Sequence, residues 1–224
     1  QLIAAHPNDP HFKFIYLSNL DTHRDALSTM NLEELGVALK YCEEIIKSTG
    51  GNDGLLWRWF QIYLHMSSFS EAHALGFLES VKDLDESVTA NFLLHVLYFC
   101  RFYKTRDLKD SQKSLRHQHI CSSLCSGVIS GERRRACPLF LADSKPLLLT
   151  DSREKGTKLT CTLVEDIVKQ QSAHMTLNLD PKFKVVFVPH YNKDLKIGQG
   201  LGTVVDATIG FSYNGLYGFD LILK

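Results

Sequence analysis

The chain has 224 residues and no net charge at neutral pH; 44% of the residues are hydrophobic and 22% charged. That is ordinary globular composition with enough apolar material for two cores, and it excludes a disordered or fibrous chain. No apolar run approaches the roughly 20 residues of a membrane span, and the first ten residues lack the basic start and apolar stretch of a secretory signal.

Beginning on Gln1, the chain reads as a soluble piece of something longer. Its six cysteines, at 42, 100, 121, 125, 137 and 161, are even in number, but the chain is too large and too apolar to be a disulfide scaffold. They are expected as reduced thiols, with Cys42 and Cys100 in helix cores. No Asn-x-Ser/Thr sequon occurs, which favours a cytoplasmic setting. Charge is unevenly spread: residues 1–100 carry 6 Lys+Arg against 13 Asp+Glu, residues 101–135 carry 9 against 3, and residues 136–224 carry 10 against 9. An acidic first half thus adjoins a strongly basic connector.

A short helix is expected over His11–Asp21, after Pro7 and Pro10. Asn31, followed by Glu33 and Glu34 and by apolar residues at 3–4 spacing, predicts a helix that ends at Gly50-Gly51. Asn52 or Asp53 caps the next, which runs to Met66. Ser68 or Ser70 caps a third, and Asp85 opens a fourth containing Val88, Phe92, Val96 and Cys100. Short helices with short loops predict stacked antiparallel hairpins, and His6-Pro7-Asn8-Asp9-Pro10 resembles a linker between tetratricopeptide repeats. The full repeat signature is absent, so a degenerate repeat and an unrelated small bundle both remain open.

Residues 101–135 read as a basic linker or an exposed helix, with Lys104, Arg106, Lys109, Lys113 and Arg116 recurring every two to four residues. From 136 the pattern becomes that of strands. Leu139–Leu141 and Leu147–Leu149 flank turn residues, and Leu159, Cys161 and Leu163 alternate. His174–Leu179 precedes the Asp180-Pro181 turn, and Phe183–Val188 follows it. Thr203–Phe211 and Leu216–Leu223 are joined around Tyr213-Asn214-Gly215, with Asn-Gly as the hairpin signal. Glu165–Gln171 reads as a short helix. Five to seven strands in so few residues predict a small closed barrel or a sandwich. The expected fold is therefore α+β: a helical-hairpin, tetratricopeptide-like domain over 1–106, the connector over 107–135, and a small oligonucleotide-binding-like (OB-like) β-barrel over 136–224.

Helical hairpins followed by such a barrel, ending in Gly210-Phe211-Ser212-Tyr213-Asn214-Gly215-Leu216-Tyr217-Gly218-Phe219-Asp220, resemble the C-terminal end of the sterile-alpha-motif-domain-nine family. The similar stretch runs from about Phe183 to the end, a fifth of the chain. Thr203-Val204-Val205-Asp206 stands where that family carries charged residues. The resemblance implies a cytoplasmic innate-immune, antiviral effector whose other domains carry its nucleotide chemistry. It implies no catalytic residue here.

Catalytic and metal motifs are weak. Gly198-Gln199-Gly200-Leu201-Gly202 lacks dinucleotide-fingerprint spacing and no Walker Lys-Ser/Thr follows it, so it is expected to be a bare loop. His117, Cys121 and Cys125 share a helical face near His119 but match no standard zinc module, so a half-buried helix face is expected and no metal. Ser212 lacks a nucleophile-elbow setting and reads as turn polarity. Asp206, Asp220 and His190 form a triad only on paper. No enzyme activity and no cofactor are expected.

What remains is recognition. Arg133, Arg134 and Arg135 should project from the barrel entrance, either clamping the acidic helices or meeting phosphates. Phe187, Tyr191, Phe211, Tyr213 and Tyr217 are the aromatics available for base stacking. The expected nucleic-acid contacts are Arg133, Arg134, Arg135, Lys104, Arg106, Tyr191 and Tyr213, with single-stranded nucleic acid, protein partners or other domains of the parent chain bound and no membrane. The competing expectation is a pure protein scaffold built on the acidic helices.

Overall fold

The computed structural model describes residues 5–7, 9–20, 27, 30–50, 52–66, 70–131, 136–143, 145–148, 155–167, 173–187, 195, 198 and 200–224. Among these the helices are α1 (Pro10–Leu20), α2 (Leu32–Thr49), α3 (Asp53–His65), α4 (Glu71–Glu79), α5 (Val88–Thr105) and α6 (Leu108–Val128). The strands are β1 (Leu139–Ala142), β2 (Lys145–Leu148), β3 (Lys158–Leu163), β4 (Ala173–Leu177), β5 (Lys184–Phe187), β6 (Val204–Ser212) and β7 (Gly215–Leu223). The layout is α+β, helices first and a small barrel after. No helix among the described residues is long and apolar enough to cross a membrane. The chain divides into two compact units, 1–93 and 94–224.

In the first unit the helix starts follow their capping chemistry. Asn31 and Glu34 form a reciprocal capping box at the head of α2, which ends at Gly50 with φ 77°, a left-handed turn that glycine reaches without strain. Asn52 caps α3 and Ser70 caps α4. The fourth start differs from expectation: Asp85 lies in a 3-10 turn, Leu84–Glu86, and Ser87 caps α5 by accepting the Ala90 amide. Asp53 reinforces that start, accepting from the Ser87 hydroxyl and the Thr89 amide. The core gathers around Trp59, whose ring meets Phe77 at 4.5 Å, Tyr63 at 5.3 Å and Phe60 at 6.3 Å, and Cys42 and Leu56 are buried in the same unit.

The second unit begins inside α5. The division between the two units falls at 93/94. The reason is the composition of 92–102, buried almost throughout, since a helix that is apolar all round must be enclosed. Its Phe99 meets Phe183 at 4.9 Å and Phe211 at 5.4 Å, and Phe102 stacks on Phe183 at 5.9 Å. Residues 108–128, left open between linker and helix, are the regular helix α6. The Ser111 hydroxyl of α6 donates to buried Asp180 in the β4–β5 turn.

The strands settle the choice between barrel and sandwich. Pairing runs β3–β4–β5–β7–β6 and back to β3, closing a five-stranded barrel. All these pairs are antiparallel except β5–β7, which is parallel. This is the OB-like arrangement, a five-stranded Greek-key barrel. β1 and β2 extend the sheet from β6. The hairpin turn is Tyr213-Asn214, with Ser212 paired to Gly215, one residue earlier than the Asn-Gly signal suggested. Leu159, Cys161, Leu163, Met175, Val185, Phe187, Val205, Ile209 and Phe211 fill the interior. The expected helix over 165–171 is not seen at 164–167, which form no helix; the rest of it lies outside the described residues.

Candidate functional site

Alternation along the barrel strands turns a second set of side chains outward. In β3 these are Lys158, Thr160 and Thr162; in β4, His174 and Thr176; in β5, Lys184 and Val186; in β7, Tyr217 and Phe219. Register assembles them into rows. Thr162 faces Thr176, which faces Lys184. His174 faces Val186, which faces Tyr217. The outer face of β3–β4–β5–β7 therefore offers hydroxyls, an imidazole, an ammonium group, an aliphatic contact and a half-exposed aromatic ring within neighbouring strand spacings of roughly 5 Å.

Two polar knots border it. Glu165 accepts from both the backbone amide and the ring of His174, so the imidazole is held in place. The Thr160 hydroxyl donates to Asp206 at 2.7 Å, and Lys224 Nζ donates to Thr160 at 2.9 Å and pairs with Asp206 at 3.0 Å. The Thr160 hydrogen bond, then Lys224, holds the Asp206 carboxyl below its ordinary pKa. A carboxylate so stabilised is a weak base, so this knot fixes side chains rather than activating a hydroxyl. Ser212 donates to Gly215 O and accepts the Asn214 amide, the turn role expected of it.

Three amides of the Gly198–Gly202 loop are spent on the neighbouring 163–167 segment. Leu201 N donates to Asp166 at 3.0 Å, Gly198 N to Ile167 O and Gly202 N to Leu163 O. His117 stacks on Tyr98 at 5.9 Å, and Cys121 and Cys125 are buried one and two turns further along. Among the described residues no three metal-ligating side chains gather. All six cysteines are buried thiols; burial pushes Cys42 and Cys161 up to about 12.

Three of the expected contact residues, Lys104, Arg106 and Tyr213, are among the described residues. Lys104 is exposed on the last turn of α5, and Arg106 follows it with its guanidinium 4.7 Å over the Tyr103 ring. Tyr213 is half-buried at the β6–β7 turn. Arg133, Arg134, Arg135 and Tyr191, and with them His190, lie outside the described residues. Phe187 and Phe211, offered as stacking aromatics, are corrected: both are fully buried and point into the core. Lys184, His174, Thr162 and Thr176 were not anticipated. The signal that could have found them is the polar half of each strand's two-residue period. No protein-family model, curated protein or solved structure matches this chain.

Proposed function

We propose that this chain is a non-catalytic recognition module that binds single-stranded nucleic acid on the outer face of its barrel, within a larger cytoplasmic innate-immune effector. One observation carries the reading: a closed OB-like barrel presents Lys184, His174 and the Tyr217 ring side by side on adjacent strands. An ammonium group neutralises phosphate and a half-exposed ring accepts a base of any sequence. Membership of the sterile-alpha-motif-domain-nine family, which supplies the cellular setting, is part of the proposal.

The test is fluorescence anisotropy of the full chain with a 20-nucleotide single-stranded RNA. Tyr217→Leu should weaken binding by about five- to a hundredfold, the range for losing one stacked base, while Tyr217→Phe should not. Equal affinity of both variants and the parent chain would sink the barrel reading.

A protein-scaffold reading has its own observation: Phe14 and Ile15 of α1 and Leu32 and Val37 of α2 are exposed apolar side chains in an acidic half. Under that reading Phe14→Ser with Leu32→Ser removes a protein partner from the full chain and leaves RNA affinity unchanged.

A further inference from the structure

We infer that the solvent face of α6, through Lys109, Lys113 and Arg116 with Lys104 and Arg106 at the turn before it, grips the phosphate backbone of nucleic acid. The inference rests on reading the chain as a nucleic-acid binder and adds a surface separate from the barrel face. Lys109, Lys113 and Arg116 stand four and three residues apart, so they form one stripe with neighbouring Cβ atoms about 5–6 Å apart. All three are exposed, as are Lys104 and Arg106.

Within 94–128 the stripe outnumbers the acids. Residues 94–128 contain six Lys and Arg but only two acids, Asp107 and Asp110. Asp110 is buried and holds Arg101 through both carboxylate oxygens. Asp107 caps α6 by accepting the Lys109 amide. Both acids are thus committed within the helices, and Lys104, Lys109 and Arg116 make no ion pair among the described residues. Two other cations are positioned rather than mobile. Lys113 Nζ donates to the Tyr98 hydroxyl at 2.8 Å and sits 4.7 Å over its ring. Arg106 adopts φ 64°, a conformation side-chain-bearing residues rarely take, with its guanidinium over Tyr103.

The partner class follows from what surrounds the charge. A membrane-surface helix needs an apolar face to insert, but Ser114, Cys121 and Cys125 on the other side of α6 are buried, and among the described residues of α6 only Leu108 is a large exposed apolar side chain. A stripe of pre-positioned cations beside a guanidinium–aromatic plane matches a polyphosphate strand that carries bases.

The experiment measures full-chain binding to a mixed-sequence 20-nucleotide single-stranded RNA from low to physiological salt. The triple variant Lys104→Ala, Lys109→Ala, Arg116→Ala spares Lys113 and the Arg101–Asp110 pair, so its fold should persist. It should bind tenfold or more weaker at low salt, and the slope of log K against log salt should become shallower by about 2, as expected for three lost phosphate contacts. Charge-conserving exchange at the same positions (Lys104→Arg, Lys109→Arg, Arg116→Lys) should keep both. An unchanged slope and affinity in the alanine triple overturns the stripe, and the barrel reading then stands or falls on Tyr217→Leu alone. Loss in the triple with none in Tyr217→Leu supports the stripe and removes the barrel face. Displacement of the RNA by polyglutamate at equal charge concentration overturns nucleic acid as the occupant in favour of an acidic protein. No RNA binding by the parent chain at low salt overturns both.

Discussion

His95 shows at one residue how burial dictates chemistry. Its Nδ1 faces the carbonyl and hydroxyl oxygens of Ser114, and that hydroxyl already donates to His95 O, so Nδ1 carries the proton. Nε2 is then a bare acceptor, buried with no hydrogen-bond partner among the described residues. Burial pushes the pKa down to about 4, with the Ser114 hydrogen bond opposing and His117 adding to the shift. In the unfolded chain a histidine titrates near pH 6.5, so between those values the unfolded state binds more protons. Stability from this group is therefore full above pH 6.5 and is lost as pH falls towards 4, by about 2 kcal/mol at pH 5. Urea unfolding at pH 7 and pH 5 measures it. His95→Met should flatten that difference, and an equal difference in the variant assigns the effect elsewhere. Gly218 makes a steric counterpart. It points into the barrel, and a Cβ there would collide with the Met175 methyl. That methyl is the end of a flexible side chain and can turn aside, so Gly218→Ala should cost no more than about 1 kcal/mol, read as a small fall in the urea midpoint with unchanged slope.

At the scale of elements, caps and turns were legible because their chemistry is local. Asn31 with Glu34, Asn52, Ser70 and Gly50 occupy the helix ends their side chains predict. Asp85 misled because an acid near a helix start resembles a cap, while the actual cap, Ser87, accepts the Ala90 amide and is held by Asp53 from 34 residues away. α6 was ambiguous since its sequence mixes lysines with buried serines, and a serine face reads as exposed until its partners are known. Ser111 is the clearest case, committed to Asp180 at the barrel turn 69 residues on. Ser111→Ala should destabilise the second unit by about 1–3 kcal/mol by leaving a buried carboxylate short of a donor. Asp180→Asn with Ser111 intact should cost less, because an amide oxygen still accepts. Equal costs would mean that the carboxylate charge, and not the hydrogen bond, holds the turn.

For the whole molecule, the division at 93/94 predicts which fragments fold. Residues 94–224 keep Phe99 and Phe102 against Phe183 and Phe211, so this fragment should melt cooperatively with dispersed amide signals. Residues 136–224 lose that cover and leave large aromatic rings facing water, so this shorter fragment should aggregate or remain molten. A well-folded 136–224 would show that the barrel needs no cover from α5. The two-residue period and the turn residues determined the strand set, the helix starts and the change from helix to strand near 136, since each depends on neighbours in sequence. Barrel closure, the parallel β5–β7 pair, the enclosure of α5 and the meeting of Lys184, His174 and Tyr217 on one face were decided only in three dimensions. Those features depend on register between strands tens of residues apart, and a shift of one residue would turn the outer face into the core.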